Sequence, residues 1–175
     1  MIHLIGLYGP SRAGKDETAG ILVADFGFEQ RAQAAAIREI LLGLDPLIQD
    51  DEGNIMHMKT LFLECDNDWD KVKARSRDSV DYMIRLGQTC RDTLGIDIWV
   101  SQVMPPIGSE QKIVISDVRQ PNEYEAIKER GGEVWKITRA GVEFRGMDGL
   151  LQGYDFDATI NNRGTLTDLR GARMF

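Results

Sequence analysis

The stretch that most restricts what this chain can become lies at its amino end. A short apolar run, 2–8, leads into Gly9-Pro10-Ser11-Arg12-Ala13-Gly14-Lys15-Asp16, after which Ala19, Leu22, Val23 and Phe26 recur along one face. An unbroken apolar run that stops at glycine is the pattern of a strand buried on both faces, and the i, i+3, i+4, i+7 recurrence closed by Gly27 predicts a helix. Strand, loop and helix in that order converge main-chain N–H groups on one point, which is a place to hold a phosphate. Gly14 permits close approach of the backbone, and Lys15 is placed to reach the β/γ bridge of a triphosphate.

The rest of the chain keeps alternating strand with helix. Ile37, Ile40, Leu41 and Leu44 predict a second helix ended by Pro46, and the polar stretches 45–54 and 64–70 read as an irregular excursion. One long helix is expected over 71–86, with Val80, Met83, Ile84 and Gly87 on its inner side. A short helix holds Ile98, Trp99, Val100 and Val103 and stops at Pro105-Pro106. A strand over 112–116 is closed by Asp117, Pro121 opens a helix that reaches Arg130, and Gly131-Gly132 separates it from a strand over 133–138. The glycine-rich segment 141–153 has the composition of a flexible flap, and a last strand around 158–160 precedes a helical turn near Leu166 and Leu169.

This order predicts an α/β fold of the P-loop NTPase type: three layers, α/β/α, around a mainly parallel sheet of about five strands, with ligands at the strands' carboxyl ends. The expected organisation is a single domain over 1–175, with a helical acceptor-binding region over about 31–104 and a lid over about 140–153.

Charge narrows the classes of partner. With 21 basic and 28 acidic residues, the net charge of -7 gives no general footprint for duplex nucleic acid, so an anionic ligand needs a local pocket. No apolar stretch approaches the roughly 18 residues of a spanning helix and no leader precedes the first strand, so the expectation is a cytoplasmic protein, or one made in a host's cytoplasm, without a membrane partner. Cys65 and Cys90 lack CxxC spacing and read as free thiols, and His3 and His57 as structural or solvated side chains. The Asn-Lys-x-Asp motif of guanine-reading switches is absent, since Asn161-Asn162-Arg163 does not supply it.

Asp16 stands where serine or threonine is usual, and a carboxylate beside triphosphate oxygens implies an intervening cation. Magnesium, which favours hard oxygen ligands and retains waters, fits that position. Arg12 is either a neutraliser of the transferred phosphoryl charge or a solvated loop residue, and Asp117 either serves magnesium's waters and an arginine or caps a helix. A phosphate acceptor needs no strong base, so catalysis reduces to positioning and positive charge. Arg38, Arg91, Arg119, Arg139 and Arg145 are candidates to supply that charge, each against the alternative of a surface salt bridge. Trp69 and Trp99 either stack on a base or fill the core.

Taken together, Gly9 through Asp16, Leu86-Gly87-Gln88-Thr89 with Arg91 and Trp99, Asp117-Val118-Arg119 with Asn122-Glu123, Gly131-Gly132 and Arg139 resemble the deoxynucleoside monophosphate kinases of bacteriophages. The run Asp157-Ala158-Thr159-Ile160-Asn161-Asn162 with Gly164-Thr165-Leu166 is similar as well. The resemblance covers most of the chain outside 45–70. It implies transfer of the ATP γ-phosphate to a deoxynucleoside monophosphate, with Mg2+ as cofactor; the oligomeric state stays open, a homodimer being one alternative. ATP would lie on Gly9, Ser11, Arg12, Ala13, Gly14, Lys15, Asp16, Glu17 and Thr18, with Asn161, Thr165 and Leu166 near the adenine. Lys15, Arg12, Asp16 and Arg139 would be the catalytic set, and Asp16 and Asp117 the metal residues. Arg38, Gln88, Arg91, Asp117, Arg119, Glu123 and Arg145 would serve the acceptor, Arg139 and Arg145 within the closing lid. Glu17 departs from the family, which often has threonine there. Other kinases of small metabolites with a Gly-Lys-Asp loop, such as an animal-type phosphomevalonate kinase, and a regulatory ATP-binding protein without transfer are the alternatives.

Overall fold

The computed structural model describes residues 2–144 and 146–163. The chain divides into two compact units, Met1–Gln33 with Val100–Phe175, and Ala34–Trp99.

The first unit is built on a parallel five-stranded sheet. Its strands are β1 (Leu4–Tyr8), β2 (Glu29–Arg31), β5 (Ile113–Val118), β6 (Glu133–Arg139) and β7 (Ala158–Asn162), in the order β2-β5-β1-β6-β7. Every pairing in it is parallel. β1 is central and buried along its whole length, as its unbroken apolar run requires. Because side chains alternate along a strand, Ile5 and Leu7 enter one core with Leu22, Val114 and Ile137, whereas Leu4 and Tyr8 enter another with Val103, Ile115 and Ile127. Helix α1 (Lys15–Phe26) covers the first face; α6 (Ile98–Val103) and α7 (Pro121–Glu129) contribute to the second. The fold is therefore the three-layer α/β arrangement that the alternation predicts, with the glycine-bearing loop joining the central strand to α1.

Two side chains of the glycine-rich segment 141–153, and Phe156 beyond it, pack on the sheet. Phe144 stacks on Tyr8 with ring centroids 5.2 Å apart, Phe156 stacks on the same ring at 5.0 Å, and Leu151 is fully buried in that core.

The second unit contains the remainder of α2 (Gln33–Leu44), a hairpin of β3 (Leu47–Gln49) and β4 (Ile55–His57), then α3 (Met58–Glu64), α4 (Trp69–Arg75) and α5 (Arg77–Leu94). Its core holds Leu41, Ile48, Met58, Leu61, Cys65 and Val72. Two expectations are corrected. The excursion at 45–54 is an ordered hairpin, its turn fixed by the Asp50 carboxylate accepting from the N–H groups of Glu52 and Asn54. The long helix expected over 71–86 is two helices, because the Ser76 side chain leaves the helical path and caps α5 by accepting from Ser79 N–H. Trp99 is buried and donates from Nε1 to the Gly87 carbonyl at 2.9 Å, so its role is in the core. Among the described residues no helix is long and apolar enough to cross a membrane.

Candidate functional site

Parallel strands end together, so residues scattered through the sequence meet at one edge of the first unit's sheet. The loop 9–14 leaves β1 there, and Arg12 (φ 66°) and Gly14 (φ 104°) take left-handed conformations that curl it. Gly14 is also the N-cap of α1 and offers no side-chain cap, leaving the first N–H groups of a 12-residue helix available to an anion. A side chain at Gly9 would strike the Ile137 carbonyl of β6. The loop thus needs glycine to lie on the sheet.

Lys15 is buried and folds back along the loop, its Nζ donating to the carbonyls of Gly9 at 2.6 Å and Pro10 at 2.9 Å. These bonds hold the ammonium in a site screened from water, and a phosphate group is a stronger acceptor that can take their place. Ser11 and Arg12 are exposed at the tip, and Arg12 makes no hydrogen bond or ion pair among the described residues. Thr18 braces the loop: its buried hydroxyl donates back to the Gly14 carbonyl at 2.8 Å. Ala13 is wholly buried, so it offers main chain rather than side chain.

Asp16 and Glu17 are exposed on the first turn of α1. The Gln30 amide lies between Asp16 and β5, donating to Ser116 Oγ at 3.0 Å and reaching Asp16 Oδ1 at 3.5 Å. Among the described residues no three carboxylate, histidine or cysteine groups gather as a metal cage. A magnesium ion here would take one protein carboxylate and complete its shell with phosphate oxygens and water, which matches that ion's habits. Asp117, at the end of β5, accepts at Oδ1 from Gln33 N–H at 3.0 Å and so caps the start of α2. Gln30 and Ser116 were not legible as site residues, Gln30 because β2 is only three polar residues long.

Glu123 is also committed. Its buried carboxylate accepts from the N–H groups of Arg119 at 2.6 Å and Gln120 at 3.0 Å, forming a capping box on α7, so it shapes the turn that carries Arg119. Arg119 is half-buried on that turn. Arg139 is exposed at the end of β6. Asn161 is exposed and accepts at Oδ1 from the Thr138 hydroxyl at 2.5 Å, whereas the neighbouring Asn162 is buried and donates to the Ala13 carbonyl at 2.9 Å. The asparagine that meets the loop is thus Asn162, because successive strand residues face opposite ways. Arg145, Thr165 and Leu166 lie outside the described residues.

The other acceptor candidates belong to the second unit. Arg38 lies on α2 with its guanidinium 5.7 Å from the Trp69 ring centroid, and its buried Nε has no hydrogen-bond partner among the described residues. Gln88 is exposed on α5 and donates to Asp92 at 2.8 Å, an ordinary i, i+4 surface pair. Arg91 is half-buried in the last turn of α5.

No family model matches the sequence, and no curated protein matches it. Among solved structures the chain is similar to a dephospho-CoA kinase from Campylobacter jejuni at 13% identity, with 97% of this chain and 92% of that one covered and a TM-score of 0.41. It is similar to TT1252 from Thermus thermophilus at 16% identity, covering 97% and 93% of the two chains with a TM-score of 0.37. Likenesses at this level carry no argument about activity, and the fold rests on strand order and loop geometry.

Proposed function

We propose that the chain is an ATP-dependent phosphotransferase whose acceptor is itself a phosphate, a deoxynucleoside monophosphate. The observation that carries this reading is the curled loop 9–14 between the central strand and an uncapped helix, with the Lys15 ammonium lodged on the loop's own carbonyls. Such a loop grips the β- and γ-phosphates through main-chain N–H groups, and Lys15 moves from Gly9 and Pro10 onto them. Asp16 alone is the protein ligand assigned to Mg2+, which when bound neutralises charge on the triphosphate. Arg12 and Arg139 face the charge that spreads over the moving phosphoryl group. An oxygen of the acceptor phosphate attacks the γ-phosphorus, the bond to the β/γ-bridging oxygen breaks, and ADP leaves. That oxygen is already anionic, so the lack of a histidine at the loop is no obstacle. Arg38 and Arg91 are assigned to the acceptor's phosphate, and Arg119 to positioning beside the loop. The resemblance read from the sequence motivates the choice of deoxynucleotide.

The test is a coupled assay for ADP with magnesium-ATP and a panel of deoxy- and ribonucleoside monophosphates, with phosphomevalonate and dephospho-CoA as further acceptors. Turnover with one or more deoxynucleoside monophosphates is expected. Turnover only with phosphomevalonate or dephospho-CoA would move the acceptor assignment, and tight ATP binding with no turnover at all would favour a regulatory nucleotide-binding role.

A further inference from the structure

A loop that binds an anion has to turn its N–H groups inward and dispose of its carbonyls elsewhere. The peptide between Ala13 and Gly14 shows how this chain does so. Ala13 is fully buried, and its carbonyl accepts from Nδ2 of Asn162, a buried side chain 149 residues further along at the end of β7. A planar trans peptide points its C=O and N–H to opposite sides, so fixing the oxygen behind the loop fixes the Gly14 N–H toward the loop's hollow. The fit is close: any Cβ on Gly14 would collide with that same Asn162 amide. Three neighbouring bonds set the rest of the turn, Ala13 N–H to the Pro10 carbonyl at 3.2 Å, Thr18 N–H to the Gly14 carbonyl at 3.0 Å and Thr18 Oγ1 to the same carbonyl.

We propose that Asn162 is the positioning residue of the phosphate loop, acting through the Ala13 carbonyl to aim the Gly14 N–H at the nucleotide's phosphates. The inference rests on the reading that loop 9–14 binds a triphosphate, and it adds the residue that presets the loop for that ligand. It also assigns the two adjacent asparagines different work. Asn161 pairs with Thr138 across the sheet, and Asn162 reaches the loop.

The experiment compares wild type with Asn162→Leu and Asn162→Ala, using magnesium-ATP and inorganic tripolyphosphate as separate probes in calorimetric titrations. Tripolyphosphate has no base or sugar, so it reports the loop alone. Both variants are expected to bind both probes about tenfold more weakly, the loss typical of one oriented hydrogen bond to a charged ligand. Weaker ATP with unchanged tripolyphosphate would overturn the proposal, since Asn162 would then serve the base side. Should neither variant fold, the wild type decides: the Gly14 amide resonance shifts on adding tripolyphosphate if its N–H faces the ligand, and a stationary Gly14 signal overturns the inference. Binding of neither probe by wild type sinks the proposed function together with this proposal, whereas normal wild-type binding with unaffected variants sinks the role of Asn162 alone.

Discussion

Replacing Lys15 with alanine separates the job that the structure shows for this side chain from the one the proposed transfer assigns it. Its ammonium satisfies two buried main-chain acceptors, Gly9 at 2.6 Å and Pro10 at 2.9 Å. Hydrogen bonds to charged groups are worth about 1.5–3 kcal/mol each, but water entering the vacated space recovers much of that, so a net cost of about 1–3 kcal/mol is expected. For a chain of this size that corresponds to a fall in Tm of roughly 2–12 °C. The chemical loss is larger. Removing one preorganised donor from a developing negative charge lowers turnover by about 10²–10³, and the proposed transfer gives Lys15 that role. The assay is ADP release with the best acceptor from the panel, at saturating magnesium-ATP, beside thermal unfolding followed by circular dichroism. A variant that melts a few degrees early and has lost at least about a hundredfold in kcat fits both roles. Turnover within about threefold of wild type, whatever the melting temperature, would refute the argument that this loop carries the reaction.

Other consequences are as direct. Asp16→Asn should raise the magnesium concentration for half-maximal turnover by about tenfold with little change in Tm, because Asp16 is exposed and its contact with Gln30 is long; an unaltered magnesium titration counts against it as the metal residue. Arg38→Ala should raise KM for the acceptor by about tenfold or more while KM for ATP stays put, and equal rises in both would place Arg38 elsewhere. Asp50 gives a pH signature in the second unit: the Asn54 side chain above all, then the N–H groups of Asn54 and Glu52 and the Arg75 guanidinium, hold its carboxyl below 3.8 against the opposing pull of burial. A depressed folded value means stability that is present above pH 3.8 and is lost as pH falls through the lower folded value. The gap in urea midpoint between wild type and Asp50→Ala should therefore stay open at pH 5–7 and narrow at more acidic pH; a gap independent of pH would contradict that account.

How much of this could be read from residues alone follows from what kind of force shapes each piece. β1, α1, β5, α7 and β6 are long enough to bury a face and are bounded by glycine or proline, and composition exposes such segments. β2 is Glu29-Gln30-Arg31, a polar edge held by main-chain pairing to β5, and pairing leaves no trace in hydrophobicity. The hairpin of the second unit depends on one carboxylate collecting local N–H groups, and the break before α5 on one serine, both short-range polar effects that apolar periodicity overlooks. At the site, the tight loop between β1 and α1 was legible because glycines at that spacing imply a curled turn. Asn161 and Asn162 were not distinguishable, since which one faces the loop depends on strand register, and the main-chain bonds of Asp117, Glu123 and Thr18 are polar contacts that a motif does not display.

The strand order has a bearing on how the chain comes to exist at all. β1 and β2 emerge first yet never pair with one another, since β5 lies between them. During synthesis both must wait, β1 apolar and each without its β5 partner, until the whole of Ala34–Trp99 and the strand beyond it have left the ribosome. The helical unit, continuous in sequence, has all its own partners by then and can collapse ahead of the sheet. The geometry of loop 9–14 is thus a late acquisition in the life of each molecule, and a nascent chain stalled before Ile113 would carry a complete glycine-lysine motif with no sheet to hold it open.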